Sequence, residues 1–115
     1  MESFAWWNLT KEDFPKIVNF IASKGERIRG VITWNSHTSC SWFGCSDILA
    51  SDLDLEIYNP NGELVAISNS FDDNYEIVDF TAQMDGIYQA KIIAKRFDAE
   101  YEYVAAAKWS SKYLN

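Results

Sequence analysis

Alternating apolar and acidic residues give the strongest structural signal in this chain. The pattern reads Asp-Leu-Asp-Leu-Glu-Ile-Tyr over residues 52–58. A period of two is that of a β-strand with one buried face, so we expect the leucines and the isoleucine to face a core and the acids to face away from it. The segment Asn59-Pro60-Asn61-Gly62 follows, and its proline and glycine favour a tight turn. We therefore predict an antiparallel hairpin in which residues 64–68 pair with 52–58.

Further short segments of β type continue along the chain. We predict strands at 16–22, 27–34, 52–58, 64–68, 76–81, 87–94 and 101–109. Trp34 and Trp109 are expected in the core, and residues 35–50 are expected to form a long loop. A helical turn fits within residues 9–18, and the alanines of 101–109 also allow a helix. Seven or eight short strands at this spacing predict one all-β domain over residues 1–115, a jelly-roll-like antiparallel β-sandwich.

Charge is distributed unevenly along the 115 residues. Ten acids and no lysine or arginine occur between Gly30 and Ala90, whereas the flanking segments are nearly balanced, and the net charge is −7. Nucleic acids and anionic membranes attract clustered basic residues, so neither is predicted as a partner. Apolar runs stay well short of the roughly 20 residues needed to span a bilayer. The first residues also lack the basic and apolar segments of a signal peptide.

The residue combinations of common catalytic sites are not found in this sequence. His37 is the only histidine, and the serines near it are not in a Gly-x-Ser-x-Gly setting. Cys40 and Cys45 lack the spacing and the second ligand pair of a zinc site. Glycine loops that bind phosphate are also missing. We therefore predict that this chain is not an enzyme by itself.

A series of short motifs occurs in the order found in a known class of exported domains. The motifs are Gly25-Glu26 before a strand ending in Trp34-Asn35, then Ser51-Asp52-Leu53-Asp54-Leu55, Pro60-Asn61-Gly62, Asn74-Tyr75-Glu76-Ile77-Val78, Phe80-Thr81-Ala82 and Gly86-Ile87-Tyr88. Over residues 24–109 this order resembles the C-terminal β-jelly-roll domains of subtilisin-like proteases and the related pre-peptidase C-terminal domain family. Residues 1–23 would then form an N-terminal extension. The chain departs from the family pattern at Ser51, where asparagine is usual.

This resemblance implies a function without catalysis. Such domains are accessory modules of secreted or cell-surface hydrolases, which they stabilise as a covalently linked or associated partner, and they often bind calcium. Two alternatives stay open. One is a carbohydrate- or matrix-binding module, which would bind a polysaccharide, and the other is a protein-interaction module.

Five carboxylates are candidate calcium ligands. Asp52 and Asp54 lie two positions apart on one predicted strand, and the segment after the hairpin adds Asp72, Asp73 and Glu76. Calcium prefers several oxygen ligands at about 2.3 to 2.6 Å, which carboxylates supply. The alternative is that these acids are solvated turn and edge residues, where Asp is common and charge discourages strand aggregation.

The predicted 35–50 loop contains two further candidate features. Cys40 and Cys45 close a loop of six residues, and the oxidising environment of an exported protein then predicts a disulfide between them. Trp42 and Phe43 lie between the cysteines. Their rings either stack on a sugar or partner protein, or fold over an open end of the sandwich.

Overall fold

A computed structural model of the chain describes residues 2–34, 40–41, 44–45, 51–68, 74–97 and 101–112. Within these residues there are ten strands and a short 3-10 helix, Lys11–Asp13. The strands are β1 (Glu2–Leu9), β2 (Lys16–Ala22), β3 (Glu26–Trp34), β4 (Cys40–Ser41), β5 (Gly44–Cys45), β6 (Ser51–Tyr58), β7 (Leu64–Ser68), β8 (Tyr75–Thr81), β9 (Gly86–Phe97) and β10 (Glu102–Lys112).

Eight of the strands form two antiparallel sheets of four. The first sheet has the order β1-β10-β3-β8, and the second has the order β2-β9-β6-β7. The strands β4 and β5 form a separate two-stranded hairpin. Buried side chains from both four-stranded sheets make one hydrophobic core. The predicted jelly-roll-like β-sandwich is therefore confirmed.

The apolar residues of the alternating segment and the hairpin that follows it are as the pattern predicts. Leu53, Leu55 and Ile57 are each at most 3% exposed, and β6 pairs antiparallel with β7. The turn between them closes through the Gly62 N–H, which donates a hydrogen bond of 2.9 Å to the Asn59 carbonyl. Gly62 has φ +82°, a conformation that favours glycine.

The structure adds strands that the sequence pattern did not indicate. β1 lies in the predicted N-terminal extension and pairs with β10 along its whole length. The same extension contains β2, which was predicted and which pairs with β9. The predicted loop contains β4 and β5, in which Cys40 is the direct backbone partner of Cys45. The alanines of the predicted 101–109 segment lie in the strand β10, Glu102–Lys112, rather than in the helix that they allow.

The prediction for Trp109 is wrong. Trp34 is 2% exposed, as expected for the core, but Trp109 is 37% exposed. The inward residues of β10 are instead Glu102 and Val104, both fully buried. Both faces of this segment carry apolar residues. The sequence favoured the face with the aromatic residues as the buried one, but the tertiary structure buries the opposite face.

The two sheets have different edges. At one side of the sandwich β7 lies against β8, and a hydrogen bond joins the two strands. The Ile77 N–H on β8 donates it to the Ser68 hydroxyl on β7, at 3.0 Å. At the other side β1 and β2 are the edge strands of their sheets. We call these the β7–β8 edge and the β1–β2 edge.

Candidate metal site

Three of the predicted ligands meet near the β7–β8 edge. Asp52 and Asp54 come from β6 of the second sheet, and Glu76 comes from β8 of the first. One carboxylate oxygen of each lies within 4.8 Å of the other two. The sandwich therefore brings together acids that are separated by more than twenty positions in sequence, and the structure confirms that these three residues could hold a metal ion.

Glu76 is held in place by the hydrogen bonds that join the sheets. It is 2% exposed and shares its inward face with Val78, two positions further along β8. The Ser68 hydroxyl donates a hydrogen bond of 2.6 Å to Glu76 Oε2 while accepting one from the Ile77 N–H. Ser68 thus fixes one oxygen of a buried carboxylate and connects two edge strands at the same time.

Asp54 is the most unfavourably placed charge of the three. Its side chain belongs to the face that strand alternation assigns to solvent, yet the residue is only 2% exposed. Burial, followed by the negative charge of Asp52, raises the pKa of the Asp54 carboxyl above its usual range, against the opposing effect of Lys95. Within the described part of the chain, Asp54 Oδ2 accepts no hydrogen bond. A cation at this point would therefore stabilise the ionised form.

Lys95 gives partial charge compensation from the surface. Its Nζ lies 3.7 Å from Asp54 Oδ2, and its side chain is 60% exposed. The pairing of β6 with β9 passes from Asp52 opposite Arg96 to Leu53 opposite Ala94, so Lys95 is the extra residue of a β-bulge. An exposed lysine at this distance balances only part of the charge of three carboxylates.

The donor set fits a hard divalent cation. Two oxygens on opposite sides of a calcium ion lie about 4.6 to 5.2 Å apart, which is twice the usual bond length. The three carboxylate oxygens are within 4.8 Å of one another, so they are close enough to bind one ion. Carboxylate oxygens favour calcium, magnesium or manganese over zinc. Calcium takes six to eight oxygens, so bidentate carboxylates, water or further residues would complete the shell.

The structure describes the remaining predicted site residues only in part. Asp72, Asp73, Trp42 and Phe43 lie outside the described residues. For Cys40 and Cys45 the backbone alone is described, and direct cross-strand partners have Cα separations compatible with a disulfide. The disulfide stays a prediction.

A further buried carboxylate, Glu102, contacts the first residue of β6, and sequence reasoning missed it. Glu102 is fully buried, and the equally buried Ser51 donates a hydrogen bond of 2.9 Å to its Oε1. The Ser51 carbonyl also accepts a hydrogen bond of 3.1 Å from Trp34 Nε1. Because Ser51 directly precedes Asp52, this network fixes the start of β6 and with it the first ligand.

Comparisons with known proteins do not identify the chain. No protein-family model matches it, and no curated protein matches it either. The resemblance to pre-peptidase C-terminal domains therefore stays a prediction. Among the helices that the structure describes, none is long and apolar enough to cross a membrane.

Proposed function

We propose that this chain is a non-catalytic β-sandwich domain that binds calcium through Asp52, Asp54 and Glu76. The observation that carries the proposal is the meeting of three carboxylates from two sheets, two of them 2% exposed. Burying carboxylates together is unfavourable unless another charge compensates them. A divalent cation provides that compensation at the point where the two sheets meet.

Binding of this kind stabilises the folded state. The ligands lie on β6 and β8, so the site exists only when both sheets are assembled. A ligand that binds only the folded state adds RT ln(1 + [L]/Kd) to stability, about 2.7 kcal/mol at a hundredfold excess over Kd. For a domain of this size the melting temperature would rise by roughly 10 °C.

Melting in chelator and in millimolar calcium, at matched ionic strength, tests the site. Asp54→Asn should remove most of the calcium-dependent rise, because it keeps the shape of the side chain but not its charge. Glu12→Gln is the matched control, since Glu12 is an exposed acid on the 3-10 helix. A melting temperature that does not respond to calcium, or that rises equally with magnesium and sodium, would contradict the proposal.

The pH dependence of calcium binding follows from Asp54. Protons and calcium compete for this carboxylate, and its pKa is raised by burial and by Asp52. As pH falls, the stabilisation by calcium should therefore begin to weaken at a higher pH than it would if Asp54 had the pKa of an ordinary aspartate. In the calcium-free protein a raised pKa has the opposite effect: the contribution of Asp54 to stability is greatest below its unfolded pKa and is lost as pH rises through the folded pKa.

The wider role proposed for the domain is that of an accessory module. The sandwich fold and the ordered motifs of residues 24–109 support attachment to a secreted or cell-surface hydrolase, of which subtilisin-like proteases are the first candidates.

Export in turn supports the Cys40–Cys45 disulfide, for which the chain-entropy model gives a stabilisation of roughly 2 kcal/mol. Intact mass, measured after alkylation with and without prior reduction, shows whether the two cysteines are bonded. Two alkylated thiols without reductant would argue against both the bond and export.

An exposed aromatic face favours a second candidate function, polysaccharide binding. Phe4 and Trp6 on β1 are each 72% exposed, and their direct partners on β10 are Ala107 and Ala105. Trp109 contacts Phe4 edge-on, with ring centres 6.5 Å apart. Small residues beside large rings leave the ring faces accessible, as stacking on sugars requires.

Binding to insoluble polysaccharides distinguishes this candidate from a purely stabilising domain. Trp6→Ala should release the protein from the polymer if the aromatic face binds it. Ile21→Ala is the control, because Ile21 is 75% exposed but lies on β2 of the other sheet. Equal retention of both variants, or no retention of the parent protein, would remove this candidate.

A further inference from the structure

An apolar cavity lies between the two sheets toward the β1–β2 edge. Its volume is about 260 Å³. Side chains of the core form its inner wall, among them Ile32, Leu55 and Ile92, while Ser3 and the exposed Asn19 lie at its outer end. None of the acids of the metal site is among the residues that line it. The cavity is therefore separate from the proposed calcium site and reaches the surface between the edge strands.

Small residues on the inward faces create this space. Ala5, Ala90 and Ala106 line the cavity together with Gly30. Gly30 pairs with Val78 on β8, and a Cβ added to it would lie 3.2 Å from Val78 Cγ2. Larger side chains at these positions would fill the gap, so the composition of the inward faces keeps it open.

Lys108 is the only charged residue among the described residues that line the cavity. It lies on β10 opposite Gly30, is half-buried, and places its Nζ 4.8 Å from the centre of the Phe20 ring on β2. Among the residues that the structure describes, no carboxylate forms a salt bridge with Lys108. A half-buried lysine whose ammonium has no carboxylate partner among the described residues, beside an apolar cavity, is complementary to a ligand with an apolar body and an anionic head.

We propose that this cavity binds an unbranched aliphatic carboxylic acid of medium length. The carboxylate pairs with the Lys108 ammonium, and the chain lies between the sheets against the apolar wall. A dry protein cavity of 150 Å³ holds benzene, so 260 Å³ holds on the order of ten carbon atoms. Decanoate is accordingly the central probe.

Calorimetric titration of the full chain with hexanoate, octanoate, decanoate and dodecanoate tests the proposal. Transfer of each methylene from water should raise the affinity about fourfold until the cavity is full, after which the gain should end. Titrations are made below the micelle concentration of each acid and in chelator. Absence of saturable decanoate binding would overturn the proposal, as would an affinity that keeps rising with chain length, which indicates surface adsorption.

Two variants test the cavity and the lysine separately. Ala106→Leu fills the cavity and should abolish decanoate binding while leaving the melting temperature unchanged or raised. Lys108→Met keeps the aliphatic part of the side chain and should weaken decanoate roughly tenfold or more, with little change for decanol. Lys24→Met, which removes an exposed lysine from the turn between β2 and β3, is the charge control.

The outcomes of the variants decide between specific and adventitious binding. Decanoate affinity that is unchanged in Ala106→Leu would place the ligand outside the cavity and overturn the proposal. Equal weakening in Lys108→Met and Lys24→Met would show only general charge attraction and would overturn the proposed pairing of the carboxylate with Lys108. If Ala106→Leu does not fold, Ala90→Leu fills the same space from the opposite sheet.

Discussion

At the β7–β8 edge the two sheets are joined by hydrogen bonds through Ser68, whereas at the β1–β2 edge they face each other across an apolar cavity. The first edge contains buried carboxylates, and the second contains lysines that lie over aromatic rings of the opposite sheet. Hydrogen bonds are directional and fix the distance between strands, while apolar and cation–π contacts tolerate a range of distances. One sandwich thus combines an edge of defined geometry with an edge that leaves space.

This difference also separates the two proposed ligands by charge. The β7–β8 edge contains the three carboxylates that are proposed to bind a cation. The cavity at the β1–β2 edge contains the Lys108 ammonium and no acid among the described residues that line it, so it accepts an anion. The chain as a whole has a net charge of −7, which means that total charge is a poor guide to what either edge binds.

Leu55→Ala should cause the largest loss in the free energy of unfolding, because Leu55 is part of the buried core. It also connects the two regions, since it follows Asp54 in β6 and lines the cavity. Truncation of this buried leucine, 3% exposed, should cost about 2 to 5 kcal/mol. Glu56→Ala on the other face of β6 should cost less than ~1 kcal/mol. Urea midpoints in calcium-free buffer measure both values. Equal losses would contradict the assignment of Leu55 to the core and of Glu56 to the outer face of β6.

Ser68→Ala should give the next largest effect, about 1 to 3 kcal/mol in chelator, because it removes a hydrogen-bond donor from the buried Glu76 carboxylate. Calcium should reduce this loss, since the ion takes over part of the Glu76 charge. Ser68→Thr retains the hydroxyl and is the control. A loss that is the same with and without calcium would separate Ser68 from the metal site.

Lys16→Met probes the β1–β2 edge and should have a smaller effect. The Lys16 Nζ lies 5.4 Å from the centre of the Trp7 ring, and contacts of this kind contribute about 0.5 to 1 kcal/mol at partly exposed positions. Chemical denaturation at matched protein concentration measures it. A loss as large as that of Ser68→Ala would show that this edge is held as rigidly as the other one.

The smallest effect concerns Asp79, which lies on β8 with Glu76 but is paired with Arg27 and Arg29 at the surface. Their hydrogen bonds lower the pKa of Asp79 from 3.8 to about 2. The stability it contributes is present above its unfolded pKa and is lost as pH falls through about 2. The difference between the parent protein and Asp79→Asn should therefore shrink with acid, and also with salt. A difference independent of pH would contradict this assignment.

Strands bounded by clear turns could be predicted closely from the sequence. β2 and β7 begin and end where the prediction placed them, because Gly25 and Gly62 mark the turns beside them. β6 was predictable from its alternation. β1 was not, because Phe4 and Trp6 face outward while Trp7 and Leu9 face inward, so both faces are apolar and no period of two appears.

The site was predictable as a set of acids but not as a geometry. Asp52 and Asp54 share one face of a strand, and this local relation is visible in sequence. Their meeting with Glu76 depends on how the two sheets stack, which local patterns do not encode. Glu76 and Glu102 are also inward-facing acids, which alternation alone assigns to solvent. Their burial depends on hydrogen bonds that the sequence pattern does not show: Ser68 donates one to Glu76 from the preceding strand, and Ser51 donates one to Glu102 from 51 positions away.

The pairing of β1 with β10 has a mechanical consequence. Glu2 lies opposite Trp109, so the start of the first strand and the end of the last strand meet at the same end of the first sheet. Tension applied to the two strands at that end would open their antiparallel ladder one residue pair at a time, rather than breaking all of its hydrogen bonds together. The first sheet should therefore begin to separate at low force, with β1 peeling away while β3 and β8 remain paired.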